Sequence, residues 1–144
     1  MTWECSDEFE ATSEQDISFG QADAYVTFAS AMSKSGSLLQ FQLKTQIREG
    51  VVLYNTGPPA KPDFVAVELV EGHVRVSMDH GAGVVDVFSD VSVNDGLWHR
   101  TEVRLTANSL DLSIDGRSSN VIRSSTVDTG DVIIFYLLFI IFFF

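Results

Sequence analysis

The stretch that decides the fold is VNDGLWHRTEVRLTANSLDLSIDG, residues 93–116. Its Asn94-Asp95-Gly96 segment signals a turn, because these residue types tolerate the positive φ that tight reversals need. Beyond the turn, apolar and polar residues alternate in two runs, one containing Val103 and Leu105 and the other running from Leu110 to Ile114. A period of two predicts strands with one buried face, so the stretch predicts two antiparallel strands joined by a short turn.

The same alternation continues upstream of this stretch. Turn clusters rich in Gly, Pro and Ser separate five further runs in which every second residue is apolar. The apolar positions of these runs are Ala24/Val26/Phe28, Leu39/Phe41/Leu43, Val51/Leu53, Val65/Val67/Leu69 and Val74/Val76/Met78. In the third run, alternation predicts that Val52 and Tyr54 lie on the face opposite Val51 and Leu53. Short strands at regular spacing, without a helical stretch, predict an all-β sandwich.

These motifs resemble the laminin G-like domain, a module of laminins, neurexins and large cadherins. In that family a strand carrying Trp-His follows an Asn-Asp-Gly turn, which here corresponds to Asn94–Gly96, Trp98 and His99. Four upstream blocks match in family order: Phe41–Thr45, Gly50–Tyr54, Asp63–Leu69 and Asp79–Gly83. The resemblance covers residues 17–116. It implies an antiparallel two-sheet jelly-roll sandwich that is incomplete at its C-terminus.

The domain organisation predicted on this basis has three parts. Residues 1–16 are an acidic linker or the end of a preceding module, and residues 17–131 are a partial laminin G-like domain. Residues 132–144 are thirteen apolar residues without a charge. They are too few for a membrane-spanning helix, which needs about 20 residues. They fit the outline of a glycolipid-anchor signal. We favour the alternative that they are unrelated sequence translated beyond the end of the domain, as in a truncated gene model.

Composition excludes some functions. The chain has a formal net charge of −11, from 20 acidic and 9 basic side chains, which disfavours nucleic-acid binding. Cys5 is the only cysteine, so an intrachain disulfide is not possible.

The N-terminus lacks the basic and apolar regions of a signal peptide. The extracellular or cell-surface location therefore follows from the resemblance, with secretion directed by upstream sequence.

The resemblance also implies a calcium site. Calcium-binding members use an acidic residue that corresponds to Asp63 and a backbone carbonyl that corresponds to His80, with further ligands from a later loop. The alternative for Asp63 is a polar residue that opens a strand after Pro62, and the sequence leaves both open. The predicted partner-binding rim comprises Asp63, Gly81, Ala82 and Gly83.

The histidines give little support for zinc, because His73, His80 and His99 are widely spaced and the chain has one cysteine. His99 is interpreted as a framework residue. Alternation places Trp98 and His99 on opposite faces, and we expect Trp98 to pack inward and His99 to lie near the surface.

Catalysis is not predicted. Jelly-roll glycoside hydrolases need two carboxylates across a cleft, and the nearest pattern, Asp111-x-Ser113-x-Asp115, is typical of a solvent-facing strand. A Gly-x-Ser-x-Gly elbow is also missing.

The predicted function is extracellular adhesion or matrix recognition of glycoproteins or glycans, with membrane contact only through a larger parent or the apolar tail. The alternatives are a lectin-like or glycan-processing jelly roll, or a truncated product without independent function that aggregates through its open edges.

Overall fold

The described part of the chain is built of β-strands. The structure is a computed structural model that describes residues 26–32, 37–57, 63–79, 81, 83–106, 109–119, 122–123 and 133–139. Within these ranges the strands are β1 Val26–Met32, β2 Ser37–Lys44, β3 Gly50–Thr56, β4 Phe64–Val70, β5 His73–Asp79, β6 Val85–Ser92, β7 Trp98–Leu105, β8 Ser109–Ile114, β9 Arg117–Ser118, β10 Ile122–Arg123 and β11 Ile133–Phe139.

The strands form two antiparallel sheets. The first sheet has the order β1-β11-β3-β4-β5-β6, and the second has the order β10-β8-β7-β2 with β9 paired to β8. The decisive stretch forms β7 and β8, in which Thr101 lies opposite Ile114 and Leu105 opposite Leu110. This confirms the predicted all-β class with two antiparallel sheets.

The core lies between the inner faces of the two sheets. On β8 the alternating residues Leu110, Leu112 and Ile114 are buried, and on β5 so are Val74 and Val76. Full burial of such a side chain contributes about 1.5–3 kcal/mol. The period-two pattern therefore identified the residues that hold the sheets together.

The pattern was wrong about one residue of β3. Val52 is as deeply buried as Leu53, whereas Val51 is only partly buried. The pairing of β3 with β4 shifts register between Val51 and Leu53. A bulge sets two residues of one strand opposite one residue of its neighbour, which interrupts strict alternation.

The apolar C-terminal segment contributes β11. Residues 133–139 pair with β1 from Met32↔Ile133 to Val26↔Phe139, and with β3 at Leu53↔Phe139. The domain limits and the origin of the tail stay predictions, and residues 1–16 lie outside the described ranges. Within the described ranges, no helix is long and apolar enough to cross a bilayer.

Candidate functional site

The predicted rim lies at one end of the first sheet. Asp63 directly precedes β4, and Asp79 is the last residue of β5. Phe64 lies opposite Asp79 in the antiparallel pairing, so the two acidic residues are at the same end. The Asp63 carbonyl accepts a hydrogen bond from the Gly57 N–H at 2.8 Å, which fixes the backbone where the strand begins. We call Asp63, Asp79, Gly81 and Gly83 the rim end.

The turn after β5 is organised by Asp79. Its Oδ1 accepts hydrogen bonds from the backbone N–H groups of Gly81 at 2.7 Å and Gly83 at 3.2 Å. Gly81 has φ +87°, a conformation that favours glycine. A Cβ built on Gly81 would lie 3.9 Å from Asp63 Oδ1. The turn therefore passes close to the Asp63 carboxylate.

The structure brings together the predicted rim residues that it describes. Asp63 and Gly81 are neighbours, and Gly83 joins them through Asp79. His80 and Ala82 lie outside the described residues. The role of Asp79 was not predicted from the sequence. An aspartate whose side chain accepts from the N–H two residues on is the signature of an Asx turn, and the Asp-x-Gly-x-Gly spacing could have indicated it.

The donor types at the rim end fit a hard cation in part. Asp63 is only 7% exposed, and its carboxylate and that of Asp79 are oxygen donors of the kind Ca²⁺ takes. Within the described ranges, no group of three or more His, Cys, Asp or Glu side chains could hold a metal ion. A calcium site at this end would need further oxygen ligands beyond these two carboxylates. The role of the His80 carbonyl stays a prediction.

A second polar cluster occupies the other end of the sheets. Gly72 follows β4, so it lies about 20 Å from Asp63 at the usual rise per strand residue. Its carbonyl accepts from the Val93 N–H at 2.8 Å, and the Gly96 N–H donates to the Thr45 carbonyl at 2.9 Å. We call this region, with His99 and the Asp115–Gly116 turn, the histidine end.

The expected orientation of Trp98 and His99 was wrong. Trp98 is 49% exposed, and the Lys44 ammonium lies 6.0 Å from the centre of its ring. The His99 side chain is only 11% exposed. Strand parity explains the reversal, because Thr101, Val103 and Leu105 of β7 are buried and every second position shares their face.

His99 is held by two carboxylates. Its Nε2 lies 2.9 Å from Asp95 Oδ1 and its Nδ1 lies 2.8 Å from Asp115 Oδ2. Burial disfavours the charged ring, but the hydrogen bonds and charges of the two carboxylates outweigh it, so the pKa of His99 is raised above 6.5. The hydrogen bond from His99 lowers the pKa of both Asp95 and Asp115 below 3.8.

Comparison with known proteins gives one consistent picture. The profile of the Laminin G domain family matches residues 43–140. Human chondroitin sulfate proteoglycan 4 is 30% identical over 111 residues, which are 77% of this chain and 5% of that protein.

Two solved structures with the same fold are laminin fragments. Domains LG4-5 of the mouse laminin α1 chain superpose with a TM-score of 0.73 at 17% identity, covering 82% of this chain and 32% of that one. The LG1-3 region of the laminin α2 chain has a TM-score of 0.72 at 26% identity, covering 82% of this chain and 24% of that one. This chain thus spans a small part of each of these proteins, and the profile match includes most of the apolar segment.

Proposed function

The chain belongs to the laminin G domain family, and from this premise we propose that it is an extracellular recognition module that binds glycoprotein or glycan partners at its rim end. The proposed contact residues are Asp63, Gly81, Ala82 and Gly83. The observation that carries the proposal is the approach of the Asp79–Gly83 turn to the Asp63 carboxylate, with 3.9 Å between Asp63 Oδ1 and a Cβ position on Gly81. The similar proteins, a proteoglycan and laminins, support the extracellular setting.

Calcium is part of this proposal. Asp63 would supply a carboxylate oxygen and His80 its backbone carbonyl, with the Asp79 carboxylate close by. Because Ca²⁺ takes 6–8 oxygen ligands, a cation held here would keep coordination positions that oxygen atoms of a partner could fill. The chain's own residues would hold the ion, and Asp79 would keep the glycine turn in place through the Gly81 and Gly83 N–H groups.

Recognition is favoured over catalysis because Asp111 and Asp115, the pattern closest to a catalytic carboxylate pair, both make structural hydrogen bonds. Asp111 accepts a hydrogen bond from the Ser118 hydroxyl at 2.8 Å. Asp115 accepts from His99 and from the Arg100 N–H. Both carboxylates are therefore engaged in holding strands and turns together, which supports a structural role for the Asp111-x-Ser113-x-Asp115 pattern.

The proposal is tested by calorimetric titration of the full chain with CaCl₂, followed by a glycan array with calcium or with a chelator. We expect calcium binding that Asp63→Asn weakens at least tenfold, because the substitution removes a ligand charge at nearly constant shape. Asp90→Asn is the matched control, since Asp90 is an exposed aspartate on β6. Calcium affinity that is equal in wild type and Asp63→Asn would contradict the site. Turnover of a polysaccharide would favour the glycan-processing alternative.

A further inference from the structure

His99 joins two turns that are far apart in the sequence. Asp95 belongs to the turn before β7, and Asp115 belongs to the turn after β8. The ring lies between them with an acidic oxygen within 2.9 Å of Nε2 and another within 2.8 Å of Nδ1. The imidazole is therefore a bridge across the histidine end.

This bridge requires a proton. A neutral imidazole has one N–H donor and one lone pair, whereas the imidazolium donates from both nitrogens. Carboxylates that are ionised only accept. Both contacts are hydrogen bonds only when His99 is charged, and in the neutral ring one nitrogen lone pair would face a carboxylate.

Each of the two carboxylates also accepts a hydrogen bond from a backbone N–H. Asp95 Oδ1 accepts from the Leu97 N–H at 2.8 Å, and Asp115 Oδ1 accepts from the Arg100 N–H at 2.8 Å. These backbone bonds place the two carboxylates on either side of the ring, and the charge of the ring decides whether both contacts with it form.

The other charged groups near His99 have their own contacts. The residue opposite His99 on β2 is apolar Leu43. The neighbouring Lys44 lies over the Trp98 ring, and the Arg100 guanidinium donates to Glu102 Oε1 at 2.7 Å. Among the residues that the structure describes, Asp95 and Asp115 are the charged groups that pair with the ring.

We propose that His99 is a proton-operated latch that fastens the Asn94–Leu97 turn to the Asp115–Gly116 turn. With the ring charged, the latch is closed and fixes the turn that displays Leu97 and Trp98, which are 63% and 49% exposed. When the ring loses its proton, one of the two contacts is lost and the turn loosens. The latch is fully closed below the unfolded value of 6.5 and opens as the pH rises through the raised folded value.

The latch is tested by a two-dimensional NMR pH titration of the ring carbons and nitrogens of the full chain. We expect His99 to titrate above 6.5, with both ring nitrogens protonated below that transition. In Asp115→Asn the transition moves down toward 6.5, while Asp90→Asn leaves it nearly unchanged. The wild-type titration alone can overturn the proposal, since a His99 transition at or below 6.5 would show that the two carboxylates do not hold the proton.

A second measurement follows the turn itself. Hydrogen exchange of the Leu97 N–H, corrected for its intrinsic pH dependence, should become about tenfold faster as His99 deprotonates. Gly81, at the rim end, provides the internal reference and should keep its protection. A protection of Leu97 that stays constant through the His99 transition would contradict the latch. Neither measurement depends on calcium binding or on a partner.

Discussion

The two ends of the sandwich are held together by different kinds of contact. At the histidine end, a side chain from β7 and carboxylates from two turns bind one another, and both ring nitrogens of His99 are engaged. At the rim end, Asp79 binds the backbone of its own turn, and the Asp63 carboxylate faces a glycine turn that presents no side chain at Gly81 or Gly83. At one end a side chain joins two turns that are far apart in the sequence, and at the other a side chain holds the backbone of its own turn.

If the rim end is the recognition site that we propose, substitutions at the two ends should affect different properties. Substitutions at the histidine end should act mainly on the free energy of unfolding, and substitutions at the rim end mainly on binding. Glycine offers a matched pair of sites for this test, because Gly72 and Gly83 both have a positive φ, +85° and +105°.

The largest effect is expected for Gly72→Ala. The new Cβ would lie 2.5 Å from Asn94 Oδ1, so the Asn94 side chain must move and lose its hydrogen bond with the Ser92 hydroxyl. Backbone strain of about 1–3 kcal/mol and a lost bond of about 1 kcal/mol then add. Urea unfolding of the full chain measures the loss. Adding Asn94→Ala to Gly72→Ala should recover part of it, since the clash is removed.

Gly83→Ala is the matched substitution at the rim end. Among the described residues, no atom lies within 4 Å of the added Cβ, so only the backbone strain of about 1–3 kcal/mol remains. We therefore expect a smaller loss of unfolding free energy than for Gly72→Ala. An equal or larger loss would show that the rim end is packed as tightly as the histidine end.

A smaller effect is expected from pH. The raised pKa of His99 contributes stability that is complete below pH 6.5 and is lost as pH rises through the folded value. The lowered pKa values of Asp95 and Asp115 contribute stability above pH 3.8 that is lost as pH falls through the folded values. The difference in unfolding free energy between wild type and His99→Gln should therefore be greatest between pH 3.8 and 6.5.

This difference should be small, because the carboxylates are exposed and solvent screens the pairs. Denaturant unfolding across the pH range measures it, with Asp90→Asn as the control for loss of a surface charge. A difference that is constant from pH 4 to pH 9 would mean that protonation of His99 does not stabilise the fold.

The smallest effect is expected for Lys44→Gln. The Lys44 ammonium is 6.0 Å from the centre of the exposed Trp98 ring, and such exposed cation–π pairs contribute about 0.5–1 kcal/mol. Tryptophan fluorescence and thermal unfolding should show a small loss of stability. A loss above that for His99→Gln would indicate that Trp98, and not the latch, organises this end.

The sequence predicted the strands well because burial between two sheets produces a local period of two. It placed Val103, Leu105, Leu110, Leu112 and Ile114 on the inner face, and all five are buried. The same reasoning failed at Val52, because a bulge depends on the pairing partner β4 and has no local signal.

The orientation at Trp98 and His99 failed for a different reason. Trp98 was predicted to face inward because tryptophan is apolar. However, Val103 and Leu105 already place the odd-numbered positions of β7, including His99, on the inner face. An inward histidine is stable there because Asp95 and Asp115 are near it, and only the folded chain brings Asp115 to that place. At the rim end, the family resemblance predicted Asp63, Gly81 and Gly83 as site residues, and that role stays a prediction. The contacts of Asp79 emerged only from the hydrogen bonds of the turn.

The measurement that tests the account most directly is a backbone NMR titration of the full chain with CaCl₂ at constant pH. The account predicts that chemical shifts change at Asp63, Asp79, Gly81 and Gly83 and stay constant at Asp95, His99 and Asp115. Saturable changes at the histidine end, with none at Asp63 or Gly81, would contradict the assignment of recognition to the rim end.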